Sequence, residues 1–540
     1  MKKVFAAAIA AVLLLGGCQN KVQRPPCPKG QICLEYGNTV DPATLDPQKA
    51  TTTSEFAIIG DLIMGLTSDA PDASVVPGAA VSWETSPDGL VWTFHLRPGA
   101  VWSDGVPVTA DDFVYAYRRM LDPNTAASYA YLIYILKNAQ AVESHKLPPT
   151  ALGARAVNPL TLELTLEHPA PQLPELLKHT AFYPVPKHVA EKYGDAWVQP
   201  GHYVSNAGYT LVSWHLGDIL RIQKNPHFWD AKNVCIDRVD FYPTTDAVAA
   251  ERRVKRGELD VSTTFQSSRI GLLRRPDYMG PYVRTHMQLS LTYVAFNTRD
   301  YPFLADRRVR QALSEAIDRE FIAYKLMRAG QQPAYSFTPP AIASYEPGAR
   351  LPFAGKPLAA RQAEARALLN AAGFGPGHPL TIKLNSGNAT DTLLISQAIQ
   401  ADWRDIGVET LLTPEEGQIN FADMEARNFQ AGLTAWSADF NDPTTFLDLL
   451  LSGTGAQNFG DYSNPAYDAL MARADQEKDL KKRARIMRQA EQLMLDDEIV
   501  APIYFGVSRN LVNPKITGWV DNAEDFHRIR WMCVKQPWPH

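Results

Sequence analysis

The sequence predicts an α/β protein with several domains, and three observations support this prediction. The chain has 540 residues, which suits about two to four domains. Hydrophobic residues make up 45% of the chain and charged residues 21%, a composition typical of packed globular cores. Helical and β-rich patterns alternate in the second half, which favours mixed or parallel sheets. No repeat period links the segments.

Three elements are predicted in the first half. Residues 90–96 are β-rich and lie between turn residues, which indicates one arm of a hairpin. Thr109 precedes two acidic residues and is predicted to begin a helix. Residues 161–167 alternate between apolar and polar side chains, which predicts a half-buried strand.

The second half contains more helical patterns. Asp306 is predicted to begin one helix that ends near Gly330 and carries an apolar stripe of Val309, Leu313, Ile317 and Phe321. Two further helices are expected before Gly373 and Gly407, and each precedes a β-rich run. These segments are helices 362–372 and 392–406, followed by strands 380–384 and 408–412. Asp442 and Pro443 are expected to begin a helix over residues 444–451, and strands are expected at 499–504 and 510–512.

Residues 1–17 form an export signal rather than a folded element. Two lysines precede an apolar run at residues 4–15, which is too short for a membrane span of about 20 residues. The Leu-Gly-Gly-Cys ending resembles a bacterial lipoprotein signal, in which Cys18 becomes the lipidated first residue. The alternative is a short anchor or a buried helix. Residues 18–32 are polar and proline-rich, and are predicted to tether the protein to a membrane in the periplasm or cell envelope.

Four cysteines remain after Cys18, and an even number in an exported protein permits two disulfides. Cys27 and Cys33 are close enough in sequence to pair locally, and Cys235 and Cys533 would then close a long loop. Three connectivities are open, as are free thiols or a zinc site.

Composition and motifs exclude several functions. The net charge is −5, which weighs against nucleic acid as the main partner. The chain has no GxSxG, HExxH, P-loop or strand-associated GxGxxG motif, and its 12 histidines lack the spacing of metal ligands. The acidic pair Asp111 and Asp112 is better explained by the start of a helix than by glycosidase chemistry. We therefore expect a protein that is not an enzyme and has no metal or cofactor.

Four groups of aromatic and turn residues occur in a characteristic order. They are residues 93–97 with 102–113, 204–209 with 224–230, 296–297 with 302–312, and 436–443. Together they resemble the family 5 solute-binding proteins of peptide-importing ABC transporters, which include oligopeptide-binding and murein-peptide-binding members. The resemblance extends from about residue 34 to residue 534.

The resemblance implies a two-lobe periplasmic-binding-protein clamp with an extra third domain, of the class II or cluster C type. Lobe one comprises residues 33–63, 187–289 and 506–540. The extra domain is 64–186, and lobe two is 290–505. The chain would cross between the lobes near 289–290 and 505–506, so closure would be a hinge motion.

The resemblance also implies a site in the cleft. Asp439 matches the residue that binds the α-amino group of a peptide. The alternative is that Asp439 is only a turn or cap residue. Asp442 already supplies the helix cap, however, so Asp439 is free for another role. Backbone groups of Ala435–Ser437, and of Thr51–Thr53 on the opposing lobe, would bind the peptide main chain. Trp436 and Tyr129 match aromatic cleft positions, although core packing is the commoner role of such residues.

Several cleft positions depart from the family pattern. Ser290 and Ser437 stand where well-known oligopeptide binders have a disulfide pair. Leu433 stands where they have an arginine, Thr51 where they have a glutamate, and Thr392 where they have a histidine. Arg427 lies near the family's arginine position but is shifted by a few residues. Two basic partners of a peptide carboxylate are therefore missing. The sequence thus favours longer peptides, or ligands whose far end stays in solvent.

The expected function is that of a monomeric, lipid-anchored receptor that binds oligopeptides and delivers them to the permease of an ABC transporter. One alternative is a receptor of the same fold for another solute, such as a murein peptide, an opine, a sugar, haem or a metal chelate. A periplasmic chaperone and an exported hydrolase are the others.

Overall fold

The computed structural model of the chain describes residues 26–345 and 347–538. The predicted signal, Cys18 and the first part of the tether lie outside the described residues. In the described part, no helix combines the length and the apolar character that crossing a membrane requires. The α/β class is confirmed, because helices cover both of the larger mixed sheets described next.

One mixed sheet has seven strands. Its central strand, Cys33–Gly37, is buried along its whole length and runs parallel to two neighbours. In spatial order the strands are Val283–Arg284, Asn510–Val512, Val261–Ser262, Cys33–Gly37, Arg238–Tyr242, Leu220–Lys224 and Tyr209–Trp214.

A second mixed sheet has six strands. In spatial order they are Gln332–Pro333, Val500–Val507, Met287–Phe296, Ala431–Ser437, Thr381–Gly387 and Glu409–Glu415. The two β-rich runs predicted after helices are confirmed. They pair in parallel, because the Thr390–Asp405 helix carries the chain back between them.

The third sheet is antiparallel and contains the predicted hairpin and the predicted alternating strand. In spatial order its strands are Ala80–Thr85, Val91–Leu96, Thr161–Thr165 and Ala154–Asn158. Trp92, Phe94 and Leu96 face the core at alternate positions, as a period of two requires. Two smaller pairs are Thr67–Asp69 with Val75–Pro77 and Ile516–Thr517 with Cys533–Val534.

Helices surround these sheets. The α-helices are Thr53–Leu62, Ala110–Met120, Ala139–Glu143, Leu173–Leu176, Lys187–Tyr193, Ala247–Lys255, Ile270–Leu273, Pro302–Ala305, Arg307–Ala316, Leu358–Ala371, Thr390–Asp405, Gly417–Glu425, Thr444–Leu447, Pro465–Asp475 and Leu480–Asp496. Gly373 and Gly407 follow two of them with φ angles of +94° and +85°, as expected for glycines that end helices.

One helix prediction is wrong. Asp306 does begin a helix, since its carboxylate accepts a hydrogen bond from the backbone N–H of Arg308. The helix ends at Ala316, however, and a π-helical segment follows at Phe321–Met327. The reason is Arg319, whose buried guanidinium donates to the carbonyl oxygens of Ser314, Ala334 and Pro502. A buried cation needs such acceptors, and a continuous helix would not supply them.

The structure joins Cys27 to Cys33 and Cys235 to Cys533, with Cα–Cα distances of 5.8 and 5.3 Å.

The seven-stranded sheet takes its strands from the ranges predicted for lobe one, and the antiparallel sheet takes its strands from the range predicted for the extra domain. Two strands of the six-stranded sheet, Met287–Phe296 and Val500–Val507, run through the predicted crossings. The domain boundaries themselves stay a prediction.

Candidate functional site

Asp439 lies just beyond the Ala431–Ser437 strand and is 9% exposed. Its backbone N–H donates to the Thr445 hydroxyl at 3.0 Å. Asp442 accepts the Thr444 backbone N–H at 3.1 Å and so caps the next helix. The cap is therefore supplied without Asp439, so its carboxylate is not needed to begin that helix.

The Asp439 carboxylate is surrounded by neutral groups. The Tyr129 hydroxyl donates to its Oδ1 at 3.1 Å, and the Thr445 hydroxyl to its Oδ2 at 3.5 Å. Within the described ranges it forms no ion pair with a lysine or arginine. Burial raises the pKa of Asp439 to about 7, although the two hydroxyl donors act in the opposite direction. A cation placed here would remove much of the cost of this burial.

Aromatic rings enclose the carboxylate on one side. Phe56, Tyr129 and His179 pack against one another with ring centroids 4.8 to 5.9 Å apart. His179 Nε2 lies 3.9 Å from Asp439 Oδ1, and its Nδ1 accepts the backbone N–H of Ala181. Burial lowers the pKa of His179 to about 3, so the ring is neutral. These side chains therefore bring no positive charge to the carboxylate.

The lysine and the arginine that line the cavity beside Asp439 are already paired with carboxylates. Arg528 contacts Asp69 at 2.8 Å. Lys178 Nζ lies 2.5 Å from Glu175, 3.0 Å from Glu524 and 3.5 Å from Asp69. This cavity of about 10 Å³ is lined by Lys178, Arg528, Glu524 and Asp69 together with Asp439 and His179. Such a volume accommodates one group of the size of a water molecule or an ammonium ion.

A larger polar cavity of about 270 Å³ adjoins the first, and Glu524 and Phe526 line both. Thr53 and Ser437, two of the predicted cleft residues, line this second cavity. It is therefore bounded by the first turn of the Thr53–Leu62 helix and by the end of the Ala431–Ser437 strand.

The Ala431–Ser437 strand has a partly open edge beside these cavities. Along one edge it pairs with Met287–Phe296 over its whole length, with Ser437 opposite Ser290. Along the other edge it pairs with Thr381–Gly387 only from Ala431 to Leu433. Among the residues that the structure describes, no strand pairs with Ala435–Ser437 on that side. An open edge is a template for another extended chain.

The remaining predicted residues lie elsewhere. Trp436 is 6% exposed and packs in a hydrophobic core, where its Nε1 has no hydrogen-bond partner within the described residues. Leu433 packs in a second core. Thr51 is exposed, and its backbone N–H donates to Glu55. Arg427 forms an ion pair with Asp461 at 3.0 Å.

Sequence reasoning missed Phe56, His179 and Thr445. No local pattern could have identified the first two, because the fold brings them to Asp439 from distant parts of the chain. Thr445 lies two residues after Pro443, at the start of a predicted helix. This position was only a weak indication that its hydroxyl contacts Asp439.

The model of the bacterial extracellular solute-binding proteins, family 5, matches residues 74–458. The chain belongs to this family. This solute-binding protein is similar to the periplasmic murein peptide-binding protein MppA of Escherichia coli (strain K12). The two are 35% identical over 516 residues, and the alignment covers 94% of this chain and 95% of that protein. At 35% identity over 536 residues, this chain is similar to the periplasmic oligopeptide-binding protein OppA of the same organism, covering 96% and 95%.

Solved structures show the two-lobe clamp fold. The solute-binding protein aligns with the murein tripeptide binding protein MppA of E. coli at a TM-score of 0.88 and 34% identity, covering 94% of this chain and 99% of the other. Against an unliganded open form of MppA the TM-score is 0.72, at the same 34% identity and with 94% and 98% covered. The chain therefore superposes better on the first structure than on the open form.

Proposed function

We propose that this protein is an extracytoplasmic receptor that binds oligopeptides, mainly through their backbone, and delivers them to the permease of an ABC transporter. The observation that carries this proposal is Asp439, a buried carboxylate without a cationic partner in the described part of the chain. It lies at the end of an open strand edge, beside room for one small group. The free α-amino group of a peptide meets these requirements.

The backbone mode of binding is supported by the open edge of Ala435–Ser437. Every peptide has the same main chain, so hydrogen bonds to this edge are independent of sequence. Tyr131 and Phe440, neighbours of Tyr129 and Asp439, line a further cavity of about 380 Å³. This space would receive side chains of different sizes.

The proposal includes the domain arrangement and the location. The predicted lobe one, extra domain (64–186) and lobe two (290–505) would close about the crossings near 289–290 and 505–506. Cys18 would carry the lipid anchor and hold the protein at a bacterial membrane in the periplasm. The location outside the cytoplasm is supported by two relatives, MppA and OppA, which are both described as periplasmic.

The first experiment compares peptides that differ only at their amino end. Isothermal titration of residues 19–540, expressed in an oxidising compartment, would use one peptide with a free or an acetylated amino group. Acetylation and Asp439→Asn should each weaken binding by about 10-fold or more, because each removes a charge-assisted contact. Asp111→Asn is a matched control, since Asp111 is exposed at the start of the Ala110–Met120 helix.

Equal binding of the free and acetylated peptides would contradict the role of Asp439. Cleavage of the peptide during the titration would instead support the hydrolase.

A second candidate is a receptor for a non-peptide or conjugated solute. One family member, described as a probable deoxycholate-binding periplasmic protein of E. coli, is 33% identical over 511 residues, covering 94% of each chain. Native mass spectrometry of the purified protein separates the candidates. A ladder of peptide masses supports the first, and one non-peptide mass supports the second.

A further inference from the structure

We propose that Arg509 binds a carboxylate of the ligand in the polar cavity beside the Asp439 site. The protein would then select short peptides whose free carboxyl end reaches this residue. This inference rests on the proposed peptide-binding function and names a specificity residue that the sequence comparison did not predict.

Arg509 follows the Val500–Val507 strand and lines the cavity of about 270 Å³. Its side chain is 32% exposed, so it is neither a free surface group nor a core residue. The same cavity contains Thr53 and Ser437 from the two sides of the predicted cleft. A ligand in this cavity would therefore lie within reach of the guanidinium.

The hydrogen bonds of Arg509 leave one side of its guanidinium unused. Nη1 donates to the Phe265 carbonyl oxygen at 3.3 Å, to the Ser267 hydroxyl at 2.8 Å and to the Asp391 carboxylate. Nη2 and Nε have no hydrogen-bond partner among the residues that the structure describes. A guanidinium held through one nitrogen, with other N–H groups free, is well suited to binding a carboxylate.

The carboxylates that line the same cavity already have other partners. Glu524 accepts hydrogen bonds from Lys178 at 3.0 and 3.1 Å. Asp525 contacts Asn510 at 2.8 Å and His527 at 2.9 Å. They are therefore engaged elsewhere, and the nearest competitor for Arg509 is Asp391, which occupies Nη1 alone.

The position of Arg509 also restricts ligand length. Ser437, which lines this cavity, is two residues before Asp439 along the open strand edge. A peptide with its amino group at Asp439 would extend along this edge and enter the cavity, gaining about 3.3–3.6 Å per residue. The missing basic groups at Leu433 and Thr392 predicted longer peptides. Arg509 would supply the carboxylate partner from the opposite lobe instead.

The test measures affinities for peptides of about two to six residues, each as the free acid and as the carboxyl-terminal amide. We expect amidation to weaken binding by about 10-fold or more at the length that reaches Arg509. Arg509→Gln should remove this difference between acid and amide. Arg256→Gln is a matched control, because Arg256 forms an exposed ion pair with Glu258. An amidated peptide with a final glutamate tests whether a side chain can supply the carboxylate. If its binding depends on Arg509, the subsite is supported and the glutamate side chain is the group that it binds.

Two results would overturn the inference while leaving the proposed function intact. One is an Arg509→Gln variant that weakens acid and amide equally, which would mean that Arg509 acts only through its contact with Asp391. The other is a wild-type protein that is indifferent to amidation at every length. A protein that binds none of these peptides would contradict the proposed function itself.

Discussion

At the scale of single residues, the site combines features that are costly without a ligand. Asp439 is buried beside a neutral histidine and two hydroxyl donors rather than beside a cation. A carboxylate in such surroundings gives up hydration without recovering it through an ion pair. An ammonium group of the ligand would offset this desolvation free energy, so the carboxylate would contribute to binding rather than to folding.

The raised pKa of Asp439 leads to a prediction about pH. Its pKa of about 7 means that the carboxyl is largely protonated below that pH and cannot pair with an ammonium group. We expect affinity for a peptide to rise between about pH 6 and pH 7.5, and binding at neutral pH to release protons. Titration calorimetry in buffers of different ionisation enthalpy measures both effects.

Asp439→Asn should bind weakly and with little dependence on pH. His179 does not contribute in this range, because its pKa is lowered to about 3. A wild-type affinity that stays constant from about pH 6 to pH 7.5 would contradict the assignment.

At the scale of elements, the two disulfides should contribute unequally to stability. Cys235–Cys533 spans 298 residues and Cys27–Cys33 spans six. In the chain-entropy account, the long loop is worth up to about 5–6 kcal/mol and the short one about 2 kcal/mol. We expect Cys235→Ser with Cys533→Ser to lower the free energy of unfolding of lobe one far more than Cys27→Ser with Cys33→Ser. Guanidinium unfolding of the two double variants checks this order, and equal losses would refute it.

Elements also show where sequence patterns succeed and where they fail. Helices ended by Gly373 and Gly407, and the strands after them, were predictable because caps and periodicity act within a few residues. The break after Ala316 was not, because Arg319 finds its acceptors at Ala334 and Pro502. Pro502 in particular is far away in the sequence. A local apolar stripe cannot reveal a buried cation whose partners are distant.

At the scale of the whole molecule, contacts between separate parts of the chain hold the cleft together. Tyr129 contacts Asp439, the Asn441 backbone N–H donates to Glu175 at 3.3 Å, and Arg509 pairs with Asp391. Each joins a residue of lobe two to a residue of lobe one or the extra domain, as these were predicted. Such contacts can form only when the lobes are close.

We therefore expect ligand binding to make the protein more compact. Small-angle X-ray scattering should show a smaller radius of gyration with saturating peptide than without it. Asp439→Asn should respond less at the same peptide concentration, because it loses the charged contact with the ammonium group and binds less peptide. A radius that does not change on saturation would contradict the hinge.

The sequence by itself determined the α/β class, the ends of the helices before Gly373 and Gly407, and the family, and the family resemblance identified Asp439 and Tyr129 as candidate site residues. These depend on local periodicity, capping residues and ordered motifs, all of which are present in short stretches. Only the tertiary structure decided that Phe56, His179 and Tyr129 pack together beside Asp439, that Trp436 packs in a core, and that Arg509 lines a polar cavity. The reason is physical: burial, shifted pKa values and unused hydrogen-bond groups arise from neighbours in space, and the fold draws these neighbours from distant parts of the chain.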